Sequence, residues 1–255
     1  MKDTKERLDV IAIGAHPDDV EVACGGTLAR LAQQGYRVGI IDLTDGEPTP
    51  HGKGTAARLA EAAAAARELG VHERVQLGLP NRQLMDTVES RIALAIQFRR
   101  LRPRIVLGFG DATPTASPDH WQARLITDAA VFYSRLSKWE DRFDDLPVHS
   151  IEQQLYFRLA FQTDTLPGHA HHISVDISST LETKLRAVRC YKSQFDHKKG
   201  IEDRIRAAAL TTGGLAGVVA AESFACVSPL VVSDLAGTLL KTGTQPKKGE
   251  SERII

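Results

Sequence analysis

The sequence predicts an α/β protein with a Rossmann-like, doubly wound, mostly parallel sheet, helices on both faces and a carboxyl-terminal extension. Three observations lead there. Short Val- and Ile-rich runs without polar alternation read as strands buried on both faces. Segments of helical periodicity, ending at Gly or before Pro, alternate with those runs, which is the signature of strand–helix–strand crossovers. The chain has 255 residues, enough for one large domain of this kind.

The first run starts at Leu8 and ends at Gly14, and the segment AHPDDVE follows it. Pro17 fixes its own φ and biases His16 toward an extended backbone, so the chain must turn sharply there. Residues 25–34 have helical spacing and stop at Gly35, and 37–43 form a second buried strand. The Pro- and Gly-rich loop TDGEPTPHGKG leads to an alanine-rich helix over Thr55–Leu69. Residues 74–79 read as a third strand, 86–101 as an amphipathic helix halted by Pro103, and 104–109 as a fourth buried strand. After the loop GDATPTASP a helix begins near Asp119, with Ser117 as its N-cap and Pro118 as its first residue.

Beyond Tyr133 the alternation weakens into a solvated excursion. Strands over 154–160 and 172–177, helices over 178–191 and part of 201–219, and a last strand over 223–227 follow. Residues 1–240 are expected to form one domain, and the polar tail 241–255 to fray.

Composition narrows the function. Lys plus Arg equals Asp plus Glu at 32 each, which removes any broad electrostatic case for nucleic acid or an anionic membrane and favours a small, locally recognised ligand. The three cysteines lie far apart and in no CxxC spacing, so neither a disulfide framework nor a thiolate zinc site is expected. With no long apolar run, a cytoplasmic protein is the expectation. A dinucleotide site would need GxGxxG directly after the first strand, where this chain has GAHPDD.

His16, Asp18, Asp19 and Glu21 crowd the carboxyl end of the first strand. Such a cluster is costly to desolvate unless a cation or a hydrogen-bond network compensates it, and a divalent metal would do so. The bland alternative is that Asp18 or Asp19 caps the following helix, which accounts for one carboxylate but not for two and a histidine. In the doubly wound order the first and fourth strands are neighbours, and a crevice opens at their carboxyl ends. His120, in the SPDH element after the fourth strand, is thereby brought toward His16 and Asp19.

AHPDD after strand one and PDH after strand four, with GYRVGIIDLTDGE, the helix bearing Arg58, YKSQF at 191–195 and AESF at 221–224, resemble the PIG-L/LmbE family of zinc-dependent N-deacetylases. Within it the chain is most similar to the bacillithiol-pathway N-acetylglucosaminyl-malate deacetylases. The resemblance implies removal of the N-acetyl group from an N-acetylglucosamine-containing small molecule. It implies one zinc ion per chain held by His16, Asp19 and His120, Asp18 as general base, Arg58 in contact with substrate, and self-association. Two imidazoles and a carboxylate with an open position are also the donor set that catalytic zinc chemistry requires. The other readings are an amidase acting on a related conjugate and a catalytically silent metal-binding protein on the same fold.

One departure stands out. The family carries a histidine before the Pro-Asp-His element, oriented by the aspartate that is here Asp119, and this chain has Ser117. A hydroxyl cannot hold a positive charge near neutral pH, so Ser117 is expected to cap the helix rather than serve as the acid. Candidates to supply the proton are Asp18 itself, His169 and His171 of the GHAHH loop, and His51.

Overall fold

The structure is a computed structural model in which residues 7–113, 115–160 and 172–233 are described. Strands β1 (Val10–Gly14) and β2 (Val38–Thr44) are buried at every position, as their unalternating aliphatic sequences require. β3 (Glu73–Leu79), β4 (Ile105–Phe109), β5 (Gln153–Phe157), β6 (His172–Asp176) and β7 (Ala221–Cys226) complete a seven-stranded sheet of order β3-β2-β1-β4-β5-β7-β6. The first five in that order are parallel, and β7 runs antiparallel to both β5 and β6.

Helices α1 (Asp19–Gln33), α2 (Thr55–Leu69) and α5 (Leu181–Arg189) pack together, while α3 (Val88–Leu101) and α4 (Asp119–Tyr133) pack against each other. A short α6 (Lys192–Phe195) follows α5, and α7 (Ile201–Ala216) lies against β6 and β7. The expected neighbours are present: Val10 of β1 pairs with Val38 on one side and Ile105 on the other. The loops leaving β1 and β4 therefore rise side by side at the carboxyl edge of the sheet.

The first helix differs from its sequence expectation, beginning at Asp19 rather than at residue 25. Gly25 and Gly26 lie inside it. Cys24 breaks the helical backbone at φ −138°, and the amides thereby freed at Gly26 and Thr27 donate to the Glu222 carboxylate at 3.0 and 2.7 Å. Glycine is required at 26 by close packing, since a Cβ there would lie 2.7 Å from Ile177 Cδ1. Other boundaries shift modestly: β5 stops at Phe157, and the helix expected over 178–191 is α5, shorter at both ends, with the unexpected α6 just beyond it.

The excursion after Tyr133 is not merely solvated. Arg99, 1% exposed, donates to the carbonyls of Leu136 at 2.5 Å and Leu146 at 2.9 Å and stacks over Phe143, fastening the segment to α3. Cys24, Cys190 and Cys226 are free thiols, and among the described residues no helix is long and apolar enough to cross a membrane. The tail 241–255 lies outside the described residues.

Candidate active site

The turn AHPDD is built on an unusual backbone. After Pro17, Asp18 takes φ 125° and ψ −24°, a region that non-glycine residues seldom occupy, and this reverses the chain so that α1 can start at once. Asp18 makes no capping hydrogen bond, so the bland reading of this carboxylate does not hold. Asp19 instead folds back, its Oδ2 accepting the His16 N–H at 2.8 Å. Gly46, in the loop after β2, crosses over this turn with φ 71°, and a Cβ there would press on Pro17 and on Arg58 Nη2.

His16, Asp19 and His120 present one donor atom each within 4.8 Å of one another. His16 Nδ1 lies 3.3 Å from Asp19 Oδ2, and His120 Nε2 lies 3.2 Å from Asp19 Oδ1. The far nitrogens are occupied elsewhere. His16 Nε2 is 3.2 Å from Asp119 Oδ2, and His120 Nδ1 is 2.8 Å from the Thr113 hydroxyl. The Thr113 hydroxyl donates to the Ser117 carbonyl at 3.3 Å, which leaves its oxygen to accept His120 Nδ1–H. Each ring thus turns its remaining nitrogen toward Asp19, and the three inward donor atoms converge on one point. The residues fit a divalent metal, and outer bonds of this kind are how metal-binding imidazoles are oriented.

The charges respond accordingly. Burial opposes protonation of His16, but Asp119 and Asp19 prevail and lift its pKa to about 10. Burial would raise Asp19, yet His120 and His16 hold it well below the usual carboxylate range. Asp119 is likewise lowered against its burial, by His16 and by the Arg82 amide that donates to Oδ2 at 2.7 Å. Asp18 goes the other way: burial pushes its carboxyl up to about 6, with Arg58 pulling down and Asp19 adding to the rise.

A cavity of about 260 Å³ opens over these groups, bordered by His16, Asp18, Asp19, Arg58, Ser117 and His120. Thr49, Asn81, Arg82 and Gln194 complete its wall, and sequence reasoning did not single them out. Thr49, Asn81 and Arg82 sit in the loops after β2 and β3, so the carboxyl-end rule that pointed to His120 applied to them too. Gln194 comes from α6 and reaches the rim by donating to the Thr49 hydroxyl at 3.0 Å, a contact across 145 positions.

The N-cap is Pro118 rather than the expected Ser117, because the helix starts one residue later; the Ser117 hydroxyl lies just before it and accepts the Asp119 N–H at 3.2 Å. Asp119 braces His16. His51 is not in this cavity; it stacks on His197, ring centroids 4.0 Å apart, in a neighbouring one. His169 and His171 lie outside the described residues.

Residues 11–131 match the PIG-L family, described as GlcNAc-PI de-N-acetylase. The diacetylchitobiose deacetylase of Thermococcus kodakarensis is 32% identical over 82% of this chain and 79% of its own length. The chain belongs to the PIG-L family. Among solved structures, its fold is shared with a conserved protein of Thermus thermophilus, at 35% identity and TM-score 0.76 over 88% of this chain and 97% of that one. The N,N'-diacetylchitobiose deacetylase of Pyrococcus horikoshii, crystallised with an inhibitor, superposes with TM-score 0.75 at 26% identity, covering 88% of this chain and 85% of that one. The motif regions quoted above fall largely within the matched segment of this PIG-L chain.

Proposed function

We propose that this protein is a metal-dependent N-deacetylase that hydrolyses the acetamide of an N-acetylglucosamine-containing small molecule, with one zinc ion held by His16, Asp19 and His120. The observation that carries the reading is Asp18: a carboxylate beside the donor cluster, facing the cavity, that the cluster does not need for ligation. A divalent ion bound there would polarise the acetamide carbonyl and acidify water.

The remaining chemistry falls to the chain's own groups. Asp18 accepts a proton from the attacking water as its oxygen bonds to the acetyl carbon. Collapse of the tetrahedral species breaks the C–N bond, and the protonated Asp18 carboxyl returns its proton to the departing amine, leaving acetate and a free amino sugar. A carboxyl raised toward neutrality by burial suits both directions of transfer. Asp119 and Thr113 hold the two imidazoles in the required tautomers. Ser117, engaged with the Asp119 amide, orients the helix start and is not the acid. Arg58 borders the cavity in which the sugar would lie.

A cavity of about 260 Å³ suits a single sugar ring with its acetamide, lying just below the span of roughly 300–1,000 Å³ found for small-molecule sites. The activities named for the relatives, on diacetylchitobiose and on an inositol-linked acetamido-glucopyranoside, support an amino-sugar substrate. The test is acetate release across N-acetylglucosamine, its malate and inositol conjugates, and chitobiose. No acetate from any of them would favour the amidase or the silent metal-binding alternative. Self-association, implied by the resemblance, is checked by light scattering, and a monomer at working concentration would reject it.

A further inference from the structure

Arg58 borders the cavity and is also tied to the turn that carries Asp18. It lies in the first turn of α2 and is only 3% exposed. Its Nη2 sits 2.5 Å from the Pro17 carbonyl oxygen and 3.1 Å from Asp18 Oδ2. Those two acceptors flank the residue whose φ of 125° sets the direction of the Asp18 side chain. Nε and Nη1 are buried without hydrogen-bond partners in the protein, so Nη2 alone ties the guanidinium to the turn.

The guanidinium is itself braced from behind. Its carbon lies 5.4 Å from the ring centre of Tyr191, which is fully buried. The Tyr191 hydroxyl donates to Glu21 Oε1 at 2.8 Å, and Arg74 grips the same oxygen at 2.5 Å while forking onto both oxygens of Asp42 at 2.6 and 2.9 Å. A chain of packed and charged contacts thus runs from the floor of β2 to the Asp18 carboxylate. Both acceptors are held by the one Nη2, and the planar guanidinium is kept in direction by its packing against Tyr191, which a flexible ammonium would reproduce poorly.

We propose that Arg58, braced by Tyr191 and Glu21, is a positioning residue that clamps the Pro17–Asp18 turn and aims the Asp18 carboxylate at the attacking water. The inference rests on Asp18 being the general base, and it reverses the expectation that Arg58 acts through substrate affinity. A misplacement of about 1 Å in a reacting group can cost on the order of 10²-fold in rate, so the effect belongs in turnover.

The experiment is a double-mutant cycle of Arg58→Gln with Asp18→Asn on the metal-loaded enzyme, reading kcat, KM and bound metal. Arg58→Gln alone should lower kcat by about 10- to 100-fold with KM within about threefold and metal retained. In the Asp18→Asn background the same change should lower the residual rate no further. Additive losses, or a raised KM with kcat intact, would overturn the proposal while leaving Asp18 as base. Near-normal turnover of Asp18→Asn would instead remove the base assignment, and this inference with it. Should Arg58→Gln fail to fold, Tyr191→Phe keeps the ring but loses the bond to Glu21. It should lower kcat by about three- to tenfold at unchanged KM, and unchanged kcat there would reject the brace.

Discussion

Two buried clusters of charge meet α1, one at its start and one at its kink, and they differ in how completely they are satisfied. At the kink of the helix, Glu222 receives the Gly26 and Thr27 amides and the Lys184 ammonium at 2.5 Å, and Lys184 also reaches the Ala23 carbonyl. The adjoining cavity holds about 30 Å³, room for little more than a water. At the start of the same helix, His16, Asp19 and His120 bring one donor atom each within 4.8 Å of one another, and the space above them is about 260 Å³. Saturated charge beside a space too small for a ligand serves the fold. Charge that a cation would complete, beside a space large enough for one, is the arrangement the proposed chemistry uses.

Disrupting the two clusters should therefore fail in different ways. His16→Ala or His120→Ala is expected to abolish bound metal and with it activity, by elemental analysis of otherwise folded protein; full metal retention in both would sink the site. Because His16 in the metal-free protein has a pKa of about 10, metal must displace its proton. Uptake near pH 7 should release a proton, and affinity should rise with pH toward about 10; calorimetry in buffers of different ionisation enthalpy reads this directly, and no release would contradict it.

Asp18→Asn should keep the metal and lose about 10²-fold or more in kcat, the usual consequence of removing a general base. Glu222→Ala should do the reverse. Removing one partner of a buried pair costs about 3–5 kcal/mol, so denaturant unfolding should show a large loss of stability while kcat per folded molecule stays near wild type. A catalytic defect there without a stability defect would erase the contrast between the clusters. Ser117→Ala is the mildest: a rate loss of about tenfold or less is expected, and a fall as deep as that of Asp18→Asn in metal-loaded protein would give the hydroxyl a direct catalytic part.

How much of this could be read from the sequence follows from the range of the interactions involved. β1, β2 and β4 were legible because an unalternating aliphatic run is a local signal, and the β1–β4 neighbourhood because crossover topology leaves few options. His16, Asp19 and His120 followed from that neighbourhood. The early start of α1 was not legible, since it depends on a backbone torsion at Asp18 held by Arg58 and on a cap supplied by Glu222 from the far end of the chain. Nor was the burial of Arg58: in a helix of alanines the apolar face is poorly marked, and a lone arginine reads as exposed. Gln194 was hidden for the same reason as Glu222, because its partner Thr49 is distant in sequence.

The torsion at Asp18 also bears on how the protein can be altered. A φ of 125° on a side-chain-bearing residue stores about 1–3 kcal/mol that glycine at the same position would not. Asp18→Gly and Asp18→Ala remove the same carboxylate, yet the glycine variant should melt higher, the opposite of the order in an ordinary helix. Glycine at 18 would relieve the turn but leave the buried Arg58 guanidinium without its carboxylate, so one residue carries both the strain and the charge that compensates it.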